Sequence, residues 1–196
     1  MAHRFHRDWG NPTFHPELIE DPYRVKKPAS IFVASTSDLF HPELSFVDVQ
    51  KIWDTMFDCD RHTFVVLTKR PERMALFAEW MDKQCFRRID YPNVWLGVTA
   101  EDQQRADERI PILLTIPAAV HFVSVEPMLE QINLMPDMNP SNEVSLDWVI
   151  AGPETGAKKR PCDPEWLVDI EAQCELAEVP FFDKREGTNR TREYPK

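Results

Sequence analysis

Six short, almost unbroken apolar runs limit what this chain can fold into. They occupy residues 31–35, 63–68, 94–99, 119–125, 147–151 and 180–182. A strand with one wet face alternates apolar and polar residues. Most of these runs do not alternate, so they read as strands buried on both faces, as in a parallel sheet. Parallel neighbours need long crossovers, and helical patterns fill most of the intervals. Ser45 and Asp48 form a capping box ahead of Phe46, Val49, Ile52, Trp53, Met56 and Phe57, which share a helix face. Pro71 fits a first helical position before Met74, Phe77, Trp80 and Met81. Thr99 and Asp102 offer another capping box, with Pro111 expected to end that helix early. Asp163-Pro164-Glu165 starts a last helix carrying Leu167, Ile170, Cys174 and Ala177 on one face. The alternation predicts an α/β fold with a largely parallel sheet.

The length of 196 residues suits one domain. A complete eight-fold β/α barrel takes about 250 residues, so a full barrel is not expected. We expect a single domain over residues 1–185 and a frayed polar tail over 186–196. Residues 128–146 carry Pro136 and Asn139-Pro140 without a helical pattern, and read either as a lid or as a plain surface loop.

Lys and Arg number 23 against 33 Asp and Glu, a net charge of −10. This lacks the electrostatic footprint of a duplex-DNA binder and favours solubility. The four cysteines, Cys59, Cys85, Cys162 and Cys174, form no CxxC, which fits a reduced, cytoplasmic protein. No signal peptide is evident. The most apolar stretch, 110–123, is too short for a membrane span and contains Pro111, Pro117 and His121.

Parallel α/β folds place ligands at the carboxyl ends of their strands. The first run ends in Ser35-Thr36-Ser37-Asp38, with His41 following, and the second in Thr68-Lys69-Arg70. The third delivers Thr99 and Glu101, the fourth Ser124 and Glu126. The fifth runs into Gly152-Pro153-Glu154, and the sixth into Asp183-Lys184-Arg185. Together these residues predict a polar site for a small anionic ligand. Lys69, Arg70, Lys184 or Arg185 would neutralise it, and Glu126 or Glu154 would bind an amine or hydroxyl. The plain alternative is that polar residues collect wherever strands surface. Cys59-Asp60-Arg61-His62 looks like half a zinc site without its second half, so a helix-end cysteine and a solvated histidine are expected there. His3 and His6 lack a third ligand. GxGxxG, Walker and GxSxG patterns are absent.

The same strand-end phrases resemble a known family. Residues 31–41 (IFVASTSDLFH), 67–74 (LTKRPERM), 93–98 (NVWLGV), 106–111 (ADERIP), 124–127 (SVEP), 147–156 (DWVIAGPETG), 160–161 (RP) and 179–184 (VPFFDK) are similar, in order, to signatures of the uncharacterised phage gp thirty-seven/sixty-eight family. Longer members of that family resemble radical S-adenosylmethionine enzymes. The resemblance therefore implies a partial, incomplete TIM-like β/α barrel of about six mostly parallel strands. It also implies S-adenosylmethionine and an iron–sulfur cluster (4Fe-4S) for the longer members, held by closely spaced cysteines near their N-terminus. This chain resembles the family from just after that segment, and none of its cysteines matches a cluster position. Reductive cleavage of S-adenosylmethionine needs an electron from a thiolate-held cluster. The expectation is thus a phage-associated, radical-SAM-like protein that binds a small anionic or nucleoside-like ligand at the C-terminal rim of the sheet, with radical chemistry only if an upstream segment supplies the cluster. A non-catalytic phage protein that binds a host protein is the alternative. A missing first strand would leave an open sheet edge, to be covered by residues 1–28, a second subunit or a host protein.

Overall fold

A computed structural model describes residues 14–85, 87–185 and 191–195. The apolar runs form six strands: β1 Ser30–Val33, β2 Thr63–Thr68, β3 Val94–Thr99, β4 Val120–Val125, β5 Trp148–Ala151 and β6 Phe181–Asp183. All neighbours are parallel and the order is β1-β2-β3-β4-β5-β6, so each strand pairs with the next in the chain. The sheet curls into a half-barrel, a partial TIM-like barrel. β1 ends two residues before its apolar run does because Ala34 turns into the left-handed region, with φ 53°.

Helices fill four of the five crossovers, α2 Phe46–Asp58, α3 Pro71–Cys85, α4 Gln103–Leu113 and α5 Pro164–Ala177, preceded by a short α1, Asp21–Arg24. Ser45 caps α2, its Oγ accepting from the Asp48 N–H at 3.1 Å. Asp163 caps α5 by accepting from the Glu165 N–H at 2.9 Å. The α4 start differs from expectation. Asp102 itself is the cap, accepting from the Arg105 N–H at 2.7 Å, while Thr99 stays in β3. Pro111 does not end α4 early either. Ile110 and Leu113 on either side of it are fully buried, and their burial holds the last turn in place.

The pleat sorts each strand into two faces. The convex face carries Phe64, Val66, Leu96, Val98, Val123 and Val149 into the main core beneath the helices. An aromatic cluster joins α2 to α3: Trp53 lies 5.1 Å from Phe77 and 6.2 Å from Phe40, ring centre to ring centre. The concave face holds a smaller cluster of Val65, Phe122, Trp148 and Ile150, flanked by Leu67, Trp95 and Phe182. Gly97 makes this curl possible, since a Cβ there would stand 2.4 Å from the Phe122 ring.

Residues 128–146 are neither a lid nor a plain surface loop. Met128, Ile132, Leu134, Met138 and Leu146 are all buried in the main core. The described part of the tail, residues 191–195, also departs from expectation. Residues 191–195 form a strap along β6, with an antiparallel bridge between Phe182 and Arg192. The Asp183 N–H donates to the Thr191 carbonyl and the Glu193 N–H to that of Phe181, both at 2.8 Å. The Trp148 indole donates to the Glu193 carbonyl at 2.9 Å. These partners order a polar segment whose composition alone gives no reason for it to dock. At the other edge, β1 pairs only with β2 among the described residues. Described residues before β1 sit beside the start of β2 instead, where Arg61 donates to the carbonyls of Pro22, Tyr23 and Val25.

Gly97→Ala should destabilise the fold by about 1–3 kcal/mol through overpacking against Phe122. It should lower the urea midpoint, with partial recovery when Phe122→Leu is added.

Candidate functional site

Because all six strands run the same way, their carboxyl ends share one rim. Pairing continues beyond the strands: the Ala100 N–H donates to the Ser124 carbonyl at 3.0 Å, Gly152 to Val125 at 3.1 Å, and Lys184 to Ala151 at 2.9 Å. The alternation of faces therefore carries past the strand ends. Leu67, Phe122, Ile150 and Phe182 are concave, so Lys69, Ser124, Glu126, Gly152 and Lys184 fall on the concave side; Thr99, paired in register with Ser124, puts Glu101 there too.

Two ion pairs dominate this rim. Lys69 Nζ donates to Glu101 Oε1, and Lys184 Nζ donates to Glu126 Oε2 at 2.5 Å. Lys69 leans from β2 to β3. Lys184 leans from β6 over β5 to β4, passing Gly152, where a Cβ would sit 2.9 Å from its own Cβ. Lysines from opposite sides of the half-barrel thus converge on neighbouring strands. The Glu101 side chain is only 14% exposed whereas Lys69 is 51% exposed, so the carboxylate aims an ammonium that still faces solvent.

Arg109 of α4 is a residue that strand-end reasoning missed. Its Nη1 donates to Glu101 Oε2 at 2.8 Å and to the Thr99 carbonyl at 2.6 Å. The motif ADERIP contained it, but only the helix–rim contact reveals its role. Burial pushes the Glu101 carboxyl up. The Lys69 hydrogen bond, a backbone hydrogen bond and the charges of Lys69 and Arg109 outweigh burial and hold it below its ordinary value.

Other rim residues serve one another. Asp38 accepts from the Phe40 N–H at 2.9 Å and the Thr68 hydroxyl at 2.7 Å through Oδ1. Through Oδ2 it accepts from the Lys69 N–H at 3.1 Å and Arg70 Nη1 at 2.8 Å. Asp38, Thr68 and Arg70 form a clamp tying the loop after β1 to the loop after β2. Ser35 and Ser37 are exposed in the first of these loops, and His41 Nδ1 accepts from the Glu43 N–H at 3.3 Å. Glu154 is gripped by Arg160 at 2.7 and 2.9 Å and accepts from its backbone N–H, which pushes its carboxyl down to about 2. Asp183 points to the convex side, 1% exposed, bonded to Arg185 rather than to the Lys184 pair.

A family model described as "Protein of unknown function (DUF5131)" matches residues 2–195. The chain belongs to that family. No curated protein and no solved structure matches it.

Within this DUF5131 chain the described residues contain no His/Cys/Asp/Glu group arranged to hold a metal ion. Cys59 ends α2 and is buried, Cys162 precedes α5, and Cys174 is buried within α5, its thiol pushed up to about 12 by burial. These three do not come together as a thiolate set. His62 is not solvated but 1% exposed, with Nε2 against the Pro22 carbonyl at 3.1 Å. His3 and His6 lie outside the described residues. Two shallow clefts, of about 520 and 650 Å³, open away from the rim, one around His121 and Asp147 and one between α5 and the strap. No described helix is long and apolar enough to cross a membrane.

Asp38→Ala should lower stability by about 2–4 kcal/mol, since it strands two loops that share one carboxylate. Denaturant titration measures this. The lowered Glu101 pKa means that its ionised form favours the fold. That contribution is complete above its ordinary value of 4.5 and is lost as pH falls through the lower folded value. Melting temperatures of wild type and Glu101→Gln should therefore differ at neutral pH and converge below pH 4.5.

Proposed function

We propose that this DUF5131 chain binds a small anionic or nucleoside-like ligand at the concave rim, between the Lys69–Glu101 and Lys184–Glu126 pairs. The observation that carries this reading is the convergence of the two lysines, each held by a carboxylate and each still about half exposed. An ammonium has three donors, and each carboxylate engages one, leaving donors for a ligand. Charge supports the same conclusion. Lys69, Arg109, Lys184 and Arg160 stand with Glu101, Glu126 and Glu154, so 4 − 3 leaves this rim at +1 on a chain of −10. Buried Thr99 and Ser124 add hydroxyls beneath.

The ordered motif series supports a finer reading, a phage-associated and radical-SAM-like protein, and the half-barrel agrees with it. Radical chemistry would require cluster thiolates from outside these residues.

A second reading, a non-catalytic phage protein that binds a host protein, draws on β1. Phe32 is 47% exposed on a strand paired on one side only among the described residues, and a free edge accepts an added strand. A host-protein complex lost in Phe32→Glu but kept in Lys69→Ala would favour it.

The rim reading is tested by calorimetric titration with pyrophosphate, adenosine monophosphate and adenosine. Lys69→Ala and Lys184→Ala should each weaken binding about ten-fold or more, from the loss of one charge-assisted contact. Wild-type protein that binds none of the probes would overturn the reading.

A further inference from the structure

The C-terminal strap brings a cation to the concave face that no strand end supplies. Arg192 is bridged to Phe182, so the two side chains lie on the same side of the ladder, and its guanidinium sits 5.6 Å above the Phe182 ring. Lys184, two residues after Phe182, is therefore its diagonal neighbour on that face, a relation that spans about 7–8 Å and that long side chains can bridge. Lys184 shares its charge with Glu126, whereas Arg192 has no carboxylate partner among the described residues. Arg192 and Lys184 lie on one face with Glu126 as the carboxylate that engages Lys184, which leaves an excess of positive charge that an anion would relieve.

We propose that Arg192 and Lys184 form a two-armed clamp for a dianionic phosphoryl group. The proposal rests on the rim reading and names the ligand class for its β6 side. The Phe182 ring holds the guanidinium over the concave face, where its fork can meet two oxygens at once. The Lys184 ammonium, with donors left over from Glu126, meets a third. A phosphoryl group matches the number of acceptors, offering three oxygens to these donors. A monocarboxylate offers two. Arg192 is separable from the strap that carries it, because the strap is held by the main-chain bonds of Asp183 and Glu193 and by the Trp148 indole.

The test titrates full-length protein with inorganic phosphate and phenyl phosphate, using acetate as the monoanionic control and adenosine monophosphate and adenosine as probes of the wider rim. Phosphate and phenyl phosphate should bind, and acetate should not. Arg192→Ala and Lys184→Ala should each cost about ten-fold in phosphate affinity. Protection of the Asp183 and Glu193 amides from hydrogen exchange should stay unchanged in Arg192→Ala, showing the strap still docked. If that variant releases the strap, Arg192→Lys decides. It keeps the charge and loses the fork, so phosphate affinity reduced several-fold supports the clamp and unchanged affinity overturns it. Phosphate binding that falls in Lys184→Ala but not in Arg192→Ala overturns the clamp and leaves the rim reading standing. Binding of adenosine alone does the same. Binding of none of the probes overturns both.

Discussion

The parallel ladder, taken strand by strand in chain order, is the constraint that everything else obeys. A parallel strand must be reached by a crossover, and four of the five here place a helix on the convex side, while the fifth packs the irregular residues 128–146 into the core there. That face is sealed by α2 to α5. The concave face carries no helix among the described residues, so its side chains cover one another. Phe122, Trp148 and Phe182 do so by tilting edge to face, and Gly97 gives Phe122 the room to lie flat in the curl. Curl, aromatic lining and a single polar rim are consequences of one topology.

The fold was largely legible because both of its signals are local. Unbroken apolar runs mark doubly covered strands, and caps such as Ser45 and Asp163 mark helix starts through bonds spanning three residues or fewer. The errors share a cause as well. Thr99 looked like a cap because its neighbours suit one, but β3 extends through it and leaves Asp102 to do the capping. Residues 128–146 show no period, yet their scattered Met, Ile and Leu fill the core, since burial does not require regular structure. Docking of the strap depends on Trp148 and β6, partners far away in sequence, so nothing local announces it.

The site divides along the same line. Which residues reach the rim follows from where the strands end, and Lys69, Glu101, Glu126 and Lys184 were legible on that basis. How they pair was not, because pairing depends on strand order and curl. The same geometry separates Asp38, Thr68 and Arg70, whose bonds knit two loops together, from the lysines, whose tips stay open. Asp183 and Lys184 are adjacent in sequence, yet the pleat sends one into the convex core and the other to the rim.

The strap also bears on the order of assembly. Sequential parallel pairing lets the sheet grow by one strand at a time, each new strand docking on the last. The strap has no template until β6 is in place, because its partners are the main chain of Phe181 and Asp183. Its bond from the Trp148 indole therefore closes only after the rest of the ladder exists. The indole of Trp148 is thus a built-in optical marker of a finished sheet, distinguishing a complete half-barrel from one that still lacks its final strand.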